Sequence, residues 1–137
     1  RNQGAHGRHA RGARCCVTRG SVIVVAVPVR IISEANSRQH WRKAAARKKL
    51  HRQTARLVLQ QYARPMGEAE RFTITLTRVA PRKLDDDNLA SGFKAVRDGV
   101  ADWLGIDDGS PRICWQYAQE KSKAGEYAAR VHVSWVV

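Results

Sequence analysis

The chain has 137 residues, is 43% hydrophobic and carries a formal net charge of +13. That length fits one compact domain able to bury a core, and no run approaches the ~18 apolar residues of a membrane-spanning helix, so no membrane partner is expected. A basic balance of this size implies a polyanionic partner, yet all seven aspartates fall between Asp85 and Asp108.

The chain opens on Arg1 rather than Met, which reads as a fragment or an over-extended reading frame. Residues 1–20 hold five arginines, four glycines and few large apolar side chains. Such a segment cannot bury enough surface to offset its ordering entropy, and a disordered basic N-terminal segment is expected there, with one domain over 21–137. Residues 21–29 form a Val/Ile run ended near Pro28, the pattern of a buried strand rather than a signal peptide. Cys15, Cys16 and Cys114 make an odd count without metal-ligand spacing; they read as reduced thiols in a cytoplasmic protein. The five histidines show no zinc-site spacing.

Residues 38–63 lack Pro and Gly and are rich in Ala, Arg, Lys, Leu and Gln, which predicts a long helix. Its apolar positions recur at helical spacing (Leu50, Leu57, Val58; Ala55, Leu59, Tyr62). Arg38, Arg42, Lys43, Arg47, Lys48, Lys49, Arg52 and Arg56 crowd the same helix with no acid among them. Like charges one turn apart destabilise a helix, so a counter-anion is needed. A nucleic-acid phosphate backbone supplies one, and phosphate contacts by Arg38, Arg42, Lys43, Arg47, Lys48 and Arg52 follow. A solvated face that only raises solubility is the alternative.

Phe72, Ile74 and Leu76 alternate with threonines, the period of a half-buried strand. After a loop over 81–87, Leu89, Phe93, Val96, Val100, Trp103 and Leu104 mark one apolar face of a helix over 88–104, with Gly105 placed to end it. Ile113, Trp115 and Tyr117 alternate, as do Val131, Val133, Trp135 and Val137, predicting two final strands joined by a hairpin loop at 121–125. The tryptophans read as core or dimer residues. The order β-α-β-α-β-β describes an α+β domain: a small mixed sheet with two principal helices on one face.

Asp85 and Asp87 project to one side of an extended segment. Joined by a carboxylate from the Asp107-Asp108 turn, they can hold Mg²⁺ through hard oxygen ligands and leave positions for water and phosphate. A helix of ~16 residues, roughly 24 Å long, separates the two groups, so the second loop must fold back. The alternative is that Asp86 or Asp87 caps a helix and Asp107-Asp108-Gly109 is a turn. A calcium EF-hand is excluded, because Leu89 and Ala90 stand where an oxygen ligand and Gly are required.

Three stretches, Leu84-Asp-Asp-Asp-Asn-Leu89, Phe93-Lys94-Ala-Val-Arg-Asp98-Gly-Val and Trp103-Leu-Gly-Ile-Asp-Asp108, resemble the RusA family of Holliday junction resolvases. Pro28 and Ser33-x-x-Asn36 resemble its N-terminal region, and the likeness spans roughly residues 22–137. The resemblance implies a Mg²⁺-dependent homodimer that cuts four-way DNA junctions. It implies Asp85, Asp87 and Asp108 as metal-binding catalytic residues, Lys94 as the catalytic lysine, and Asn36 beside the DNA. Lys94 lies seven positions after Asp87, where the family's lysine follows by about one turn; Ser91 occupies the nearer position, and Lys94 can instead pair with Asp98. A non-catalytic DNA-binding protein of the same fold, or a metal-dependent nuclease of other specificity, are the alternatives.

Overall fold

A computed structural model describes residues 21–33, 41–63, 65 and 71–136. The expected disordered segment 1–20, together with Asn36 and Arg38, lies outside the described residues. Strand β1 (Ser21–Val27) is followed by helix α1 (Trp41–Leu59), strand β2 (Arg71–Ala80), the short helices α2 (Asp86–Gly92) and α3 (Lys94–Leu104), and strands β3 (Ile113–Lys121) and β4 (Ala128–Val136). The result is the expected small α+β fold with a four-stranded mixed sheet, ordered β1-β4-β2-β3.

Strand β2 occupies the interior of the sheet. Ile74 lies between Val133 and Trp115, and Leu76 between Val131 and Tyr117. Because side chains alternate, these residues share the face that meets Val25 and Val27 of β1 and the helices, while the threonines of β2 point the other way. From the helices, Leu59, Phe93, Val96 and Val100 close the core and are fully buried.

The expected β3–β4 hairpin is corrected. Strand β3 pairs parallel with β2, and β4 crosses to lie antiparallel between β2 and β1. Period-2 patterning reports which face a residue takes, not which strand becomes its neighbour, and a short polar connector was compatible with both arrangements.

The single helix expected over 88–104 is two. At Phe93 (φ −89°, ψ −1°) the ladder tightens, its N–H shared between the carbonyls of Leu89 and Ala90 at 3.2 Å each. The apolar face continues through the break, and Gly105, at φ 74°, ends α3 in the left-handed conformation anticipated for it. The basic helix presents His51, Ala55 and Leu59 inward. Leu50 and Leu57, expected among its apolar positions, are instead 59% and 56% exposed. Trp103 is buried and Trp115 and Trp135 are half-buried, but Trp41 is 67% exposed.

Cys114 on β3 is disulfide-bonded, which corrects the reading of three reduced thiols. Its partner lies outside the described residues. Pairing depends on the approach of two Cα atoms in space, and an odd count along the chain does not report it. The thiol argument for a cytoplasmic location therefore falls away. Among the described residues no helix is long and apolar enough to cross a membrane.

Helices α1 and α3 pack where Gly99 faces Arg52 and Ala55, so close that a Cβ on Gly99 would overlap the Arg52 carbonyl and touch the Ala55 Cβ at 3.0 Å. Beside this contact Arg52 and Asp102 form a two-point ion pair, Nε to Oδ2 at 2.7 Å and Nη2 to Oδ1 at 2.9 Å. Alanine at 99 would gain ~1 kcal/mol of helix propensity, but overpacking against backbone costs about 1–3 kcal/mol. Gly99→Ala is therefore expected to lower the urea midpoint of unfolding. A raised midpoint would show that the helices separate freely.

Candidate active site

The acidic loop leaves the C-terminal end of β2 and is held at Leu84 by the side chain of Gln119. Gln119 of β3 accepts a hydrogen bond from the Leu84 N–H at 2.9 Å and donates its amide to the Leu84 carbonyl at 2.8 Å. This two-point clamp sets the backbone one residue before Asp85. Asp85 is the N-cap of α2 in an extended conformation (φ −66°, ψ 156°), but its side chain makes no capping hydrogen bond. Asp86 and Asp87 occupy the first turn, where the helix dipole favours negative charge. Helix capping by side-chain hydrogen bonding therefore does not explain why Asp85 is acidic.

The second group of acids is arranged differently. Asp107 accepts a hydrogen bond from the Gly109 N–H at 3.2 Å and serves the turn. Asp108 faces α3: Lys94 Nζ lies 3.0 Å from its Oδ2, and 2.7 Å from Asp98 Oδ1. The loop after Gly105 folds back along α3 as far as Lys94. Arg97 completes the junction. Its Nη2 donates to the Asp108 carbonyl at 3.0 Å, Trp115 Nε1 donates to the same oxygen at 2.9 Å, and its Nη1 donates to the Tyr117 hydroxyl at 3.0 Å. The guanidinium lies 4.7 Å from the Trp115 ring centre. Arg97 Nε is 3.2 Å from Asp108 Oδ2 but off the hydrogen-bond direction, so that contact is Coulombic.

The Lys94 ammonium, then Arg97, hold the Asp108 carboxyl below its ordinary pKa, while Asp98 and then Asp108 hold Lys94 above its own. Lys94 is therefore a fixed cation at neutral pH. The depressed Asp108 pKa contributes stability present above the unfolded carboxylate value of about 4 and lost as pH falls through the lower folded value. Both side chains are partly exposed, which limits the pair to roughly 1 kcal/mol or less.

A cavity of about 550 Å³ opens beside the first acidic group, walled by Lys48 of α1, Asp87 and Ser91 of α2, Lys94 and Arg97 of α3, and Tyr117 of β3. It brings together Asp87 and Lys94, and adds Lys48 from the basic helix. Asp85 and Asp108 are not in its wall. Among the described residues no three His, Cys, Asp or Glu side chains form a ready metal cluster, so Asp85, Asp87 and Asp108 do not meet as a ligand trio in this arrangement. Four of the seven aspartates are engaged: Asp98 and Asp108 with Lys94, Asp102 with Arg52, Asp107 with its turn. Asp85, Asp86 and Asp87 are exposed, and no hydrogen bond or ion pair engages their side chains among the described residues.

The expected DNA-contact residues on α1 differ in exposure. Arg42, Lys43 and Lys48 are exposed, with the Arg42 guanidinium 5.2 Å from the Trp41 ring centre. Arg47 is half-buried, on the same helix side as Ala44 and His51. Arg52 is exposed but paired with Asp102. Sequence reasoning missed Gln119, Arg97 and Tyr117 as parts of the site. The signal for Tyr117 and Gln119 was their alternation with Ile113 and Trp115 on the inner face of β3; that for Arg97 was its position one turn after Lys94.

No family model matches the chain, and no curated protein matches it. Among solved structures it is similar to a 2C-methyl-D-erythritol-2,4-cyclodiphosphate synthase at 20% identity, over 61% of this chain and 47% of that one, with a TM-score of 0.30. A likeness of that degree carries no argument about this site.

Replacing Gln119 by Leu keeps the bulk but leaves the Leu84 N–H and carbonyl without their clamp. Two partly buried hydrogen bonds are worth about 1–3 kcal/mol together. Amide exchange at Leu84 is expected to quicken about tenfold or more, while amides in the β2–β4 ladder hold. Unchanged exchange at Leu84 would show that the loop is fixed by something else.

Proposed function

We propose that the protein is a metal-dependent endodeoxyribonuclease of the RusA type, hydrolysing phosphodiester bonds in branched DNA such as four-way junctions. The observation that carries this reading is the cavity in which Asp87, from a run of three unengaged carboxylates, faces Lys94 of the same acidic window and Lys48 of the basic helix. A protein that only bound DNA would gain nothing from leaving three consecutive carboxylates unneutralised beside its cations.

The donor set fits Mg²⁺. That ion is commonly held by one or two carboxylates together with water and substrate phosphate, and Asp85 and Asp87 offer two such groups that have no partner among the described residues. Asp108 would join them only by exchanging its contact with Lys94. When bound, Mg²⁺ polarises a phosphoryl oxygen and lowers the pKa of an attacking water.

The chain's own residues supply the rest. Lys48, Lys94 and Arg97 attract the phosphodiester and offset its charge in the cavity. Lys94, kept protonated by Asp98 and Asp108, acts as a donor toward phosphate or leaving oxygen and not as a base at neutral pH. The exposed cations Arg42, Lys43 and Lys48 position the duplex arms without reading base sequence. Resolving a junction needs paired incisions, which a two-fold homodimer provides; the exposed Leu50 and Leu57 of α1 are apolar surface suited to a second copy.

A second reading, a non-catalytic DNA-binding protein, is favoured by the engagement of Asp108 with Lys94 and Arg97, which gives that acid a structural use. One substitution separates the two. Asp87→Asn is expected to abolish Mg²⁺-dependent cleavage, by about 100-fold or more, and to preserve or strengthen binding of DNA in gel shifts, since it removes a charge that repels phosphate. Loss of binding in step with loss of folding would instead make Asp87 a residue of the helix terminus.

A further inference from the structure

On the other side of the acidic loop, residues that neither the cavity nor the basic helix uses gather around a second space. A cavity of about 450 Å³ is walled by Arg30 from the segment after β1, Arg78 near the end of β2, Arg82 and Lys83 from the following loop, and Tyr127 before β4. Among the described residues no carboxylate lines it. Arg78 is only 7% exposed. Its Nε donates to the Ile31 carbonyl at 2.9 Å, its Nη1 donates to the Arg82 carbonyl, and Gln119 Oε1 lies 3.5 Å from Nη1.

All of these acceptors are neutral. Among the described residues no carboxylate pairs with Arg30, Arg78, Arg82 or Lys83. Burial and the nearby Arg30 push the Arg78 pKa down. Burying a charge without a counter-charge is costly, and the neighbouring Arg30 adds repulsion. Arg30 is moreover held in place, its guanidinium 3.8 Å from the Tyr127 ring centre. A site with four converging cations, one of them buried and fixed by backbone carbonyls, is organised for an anion, and guanidinium groups suit phosphate oxygens in particular.

We propose that this cavity binds a phosphate group of the nucleic-acid backbone, a second anchor beside the one over the Asp87 cavity. The inference rests on the nucleic-acid reading above. Leu84 lines this cavity and Asp87 lines the other, so the acidic loop divides them, and Gln119 touches both Arg78 and Leu84. A phosphate held here would fix the strand relative to the acidic loop; the four cations position and do not take part in bond breaking.

The test uses the full chain and its Arg82→Gln/Lys83→Gln variant. Both side chains are exposed, and the Arg82 carbonyl that Arg78 needs is retained, so the fold should persist. Binding to duplex and junction DNA is measured across salt concentrations, and inorganic phosphate is titrated while the Arg78 Nε–H resonance is followed by NMR. The variant is expected to lower the slope of log K against log salt by about 0.9 for each phosphate it no longer neutralises, and to abolish the phosphate-induced shift at Arg78 that the unmodified chain shows. An unchanged slope, in a variant that still cuts or binds DNA, overturns this inference and leaves the proposed function standing. A phosphate-induced shift at Arg78 in a chain that binds no DNA overturns both, and leaves the cavity as a site for free phosphate.

Discussion

Parallel pairing of β2 with β3 is the constraint on which the rest depends. A parallel pair cannot be joined by a tight turn and needs a crossover connection. Here the crossover is α2 and α3, and the acidic window is that crossover. Asp85–Asp87 begin it at the C-terminal end of β2, and Asp107–Asp108 end it before β3 enters the sheet. Left to the helix alone, the two acidic groups would stand apart. Arg97, fixed on Tyr117 and Trp115 of β3, and Lys94 together draw Asp108 back along α3. The same strand supplies Gln119, which holds the loop before Asp85. One edge strand thus organises both acidic groups through its inward-facing row.

Charge is distributed so that each neutralisation has a structural consequence. Arg52 gives its charge to Asp102 and locks α1 onto α3 at their closest approach. Lys94 and Arg97 give theirs to Asp98 and Asp108 and close the loop after α3. Among the described residues no opposite charge pairs with the carboxylates of Asp85–Asp87, or with Arg30, Arg78, Arg82 and Lys83 of the second cavity. Under the proposed function, these opposite charges would meet a polyanion that carries a bound divalent cation.

Much of the fold was legible because it follows from periodicity. The alternation in β2, β3 and β4 and the apolar face from Leu89 to Leu104 are direct records of which side is buried, and Gly105 ends α3 as its lack of a Cβ allows. Partnership was not legible: the place of β4 between β1 and β2 depends on long-range pairing, and the Cys114 disulfide on spatial approach. The break at Phe93 is a shift in a few backbone hydrogen bonds that leaves the apolar pattern intact. In the candidate site, residue types pointed to the acidic window, and the Lys94–Asp98 pair followed from their spacing. The division of labour between Asp107 and Asp108 did not, because both are ordinary turn residues until Arg97 and Trp115 fix the Asp108 carbonyl. Nor did the exposure of Leu50 and Leu57, which share helical spacing with the buried stripe yet face away from it.

The central claim is that the acidic loop and the basic helix serve one phosphodiester-cleaving site. It is tested most directly by incubating the purified protein with an end-labelled four-way junction and with linear duplex of the same sequence, each with and without Mg²⁺. Mg²⁺-dependent, symmetrically paired cuts near the branch point, with the linear duplex left intact, are the expected result. Tight binding of the junction without any strand cleavage at any Mg²⁺ concentration would contradict the claim and leave a DNA-binding protein.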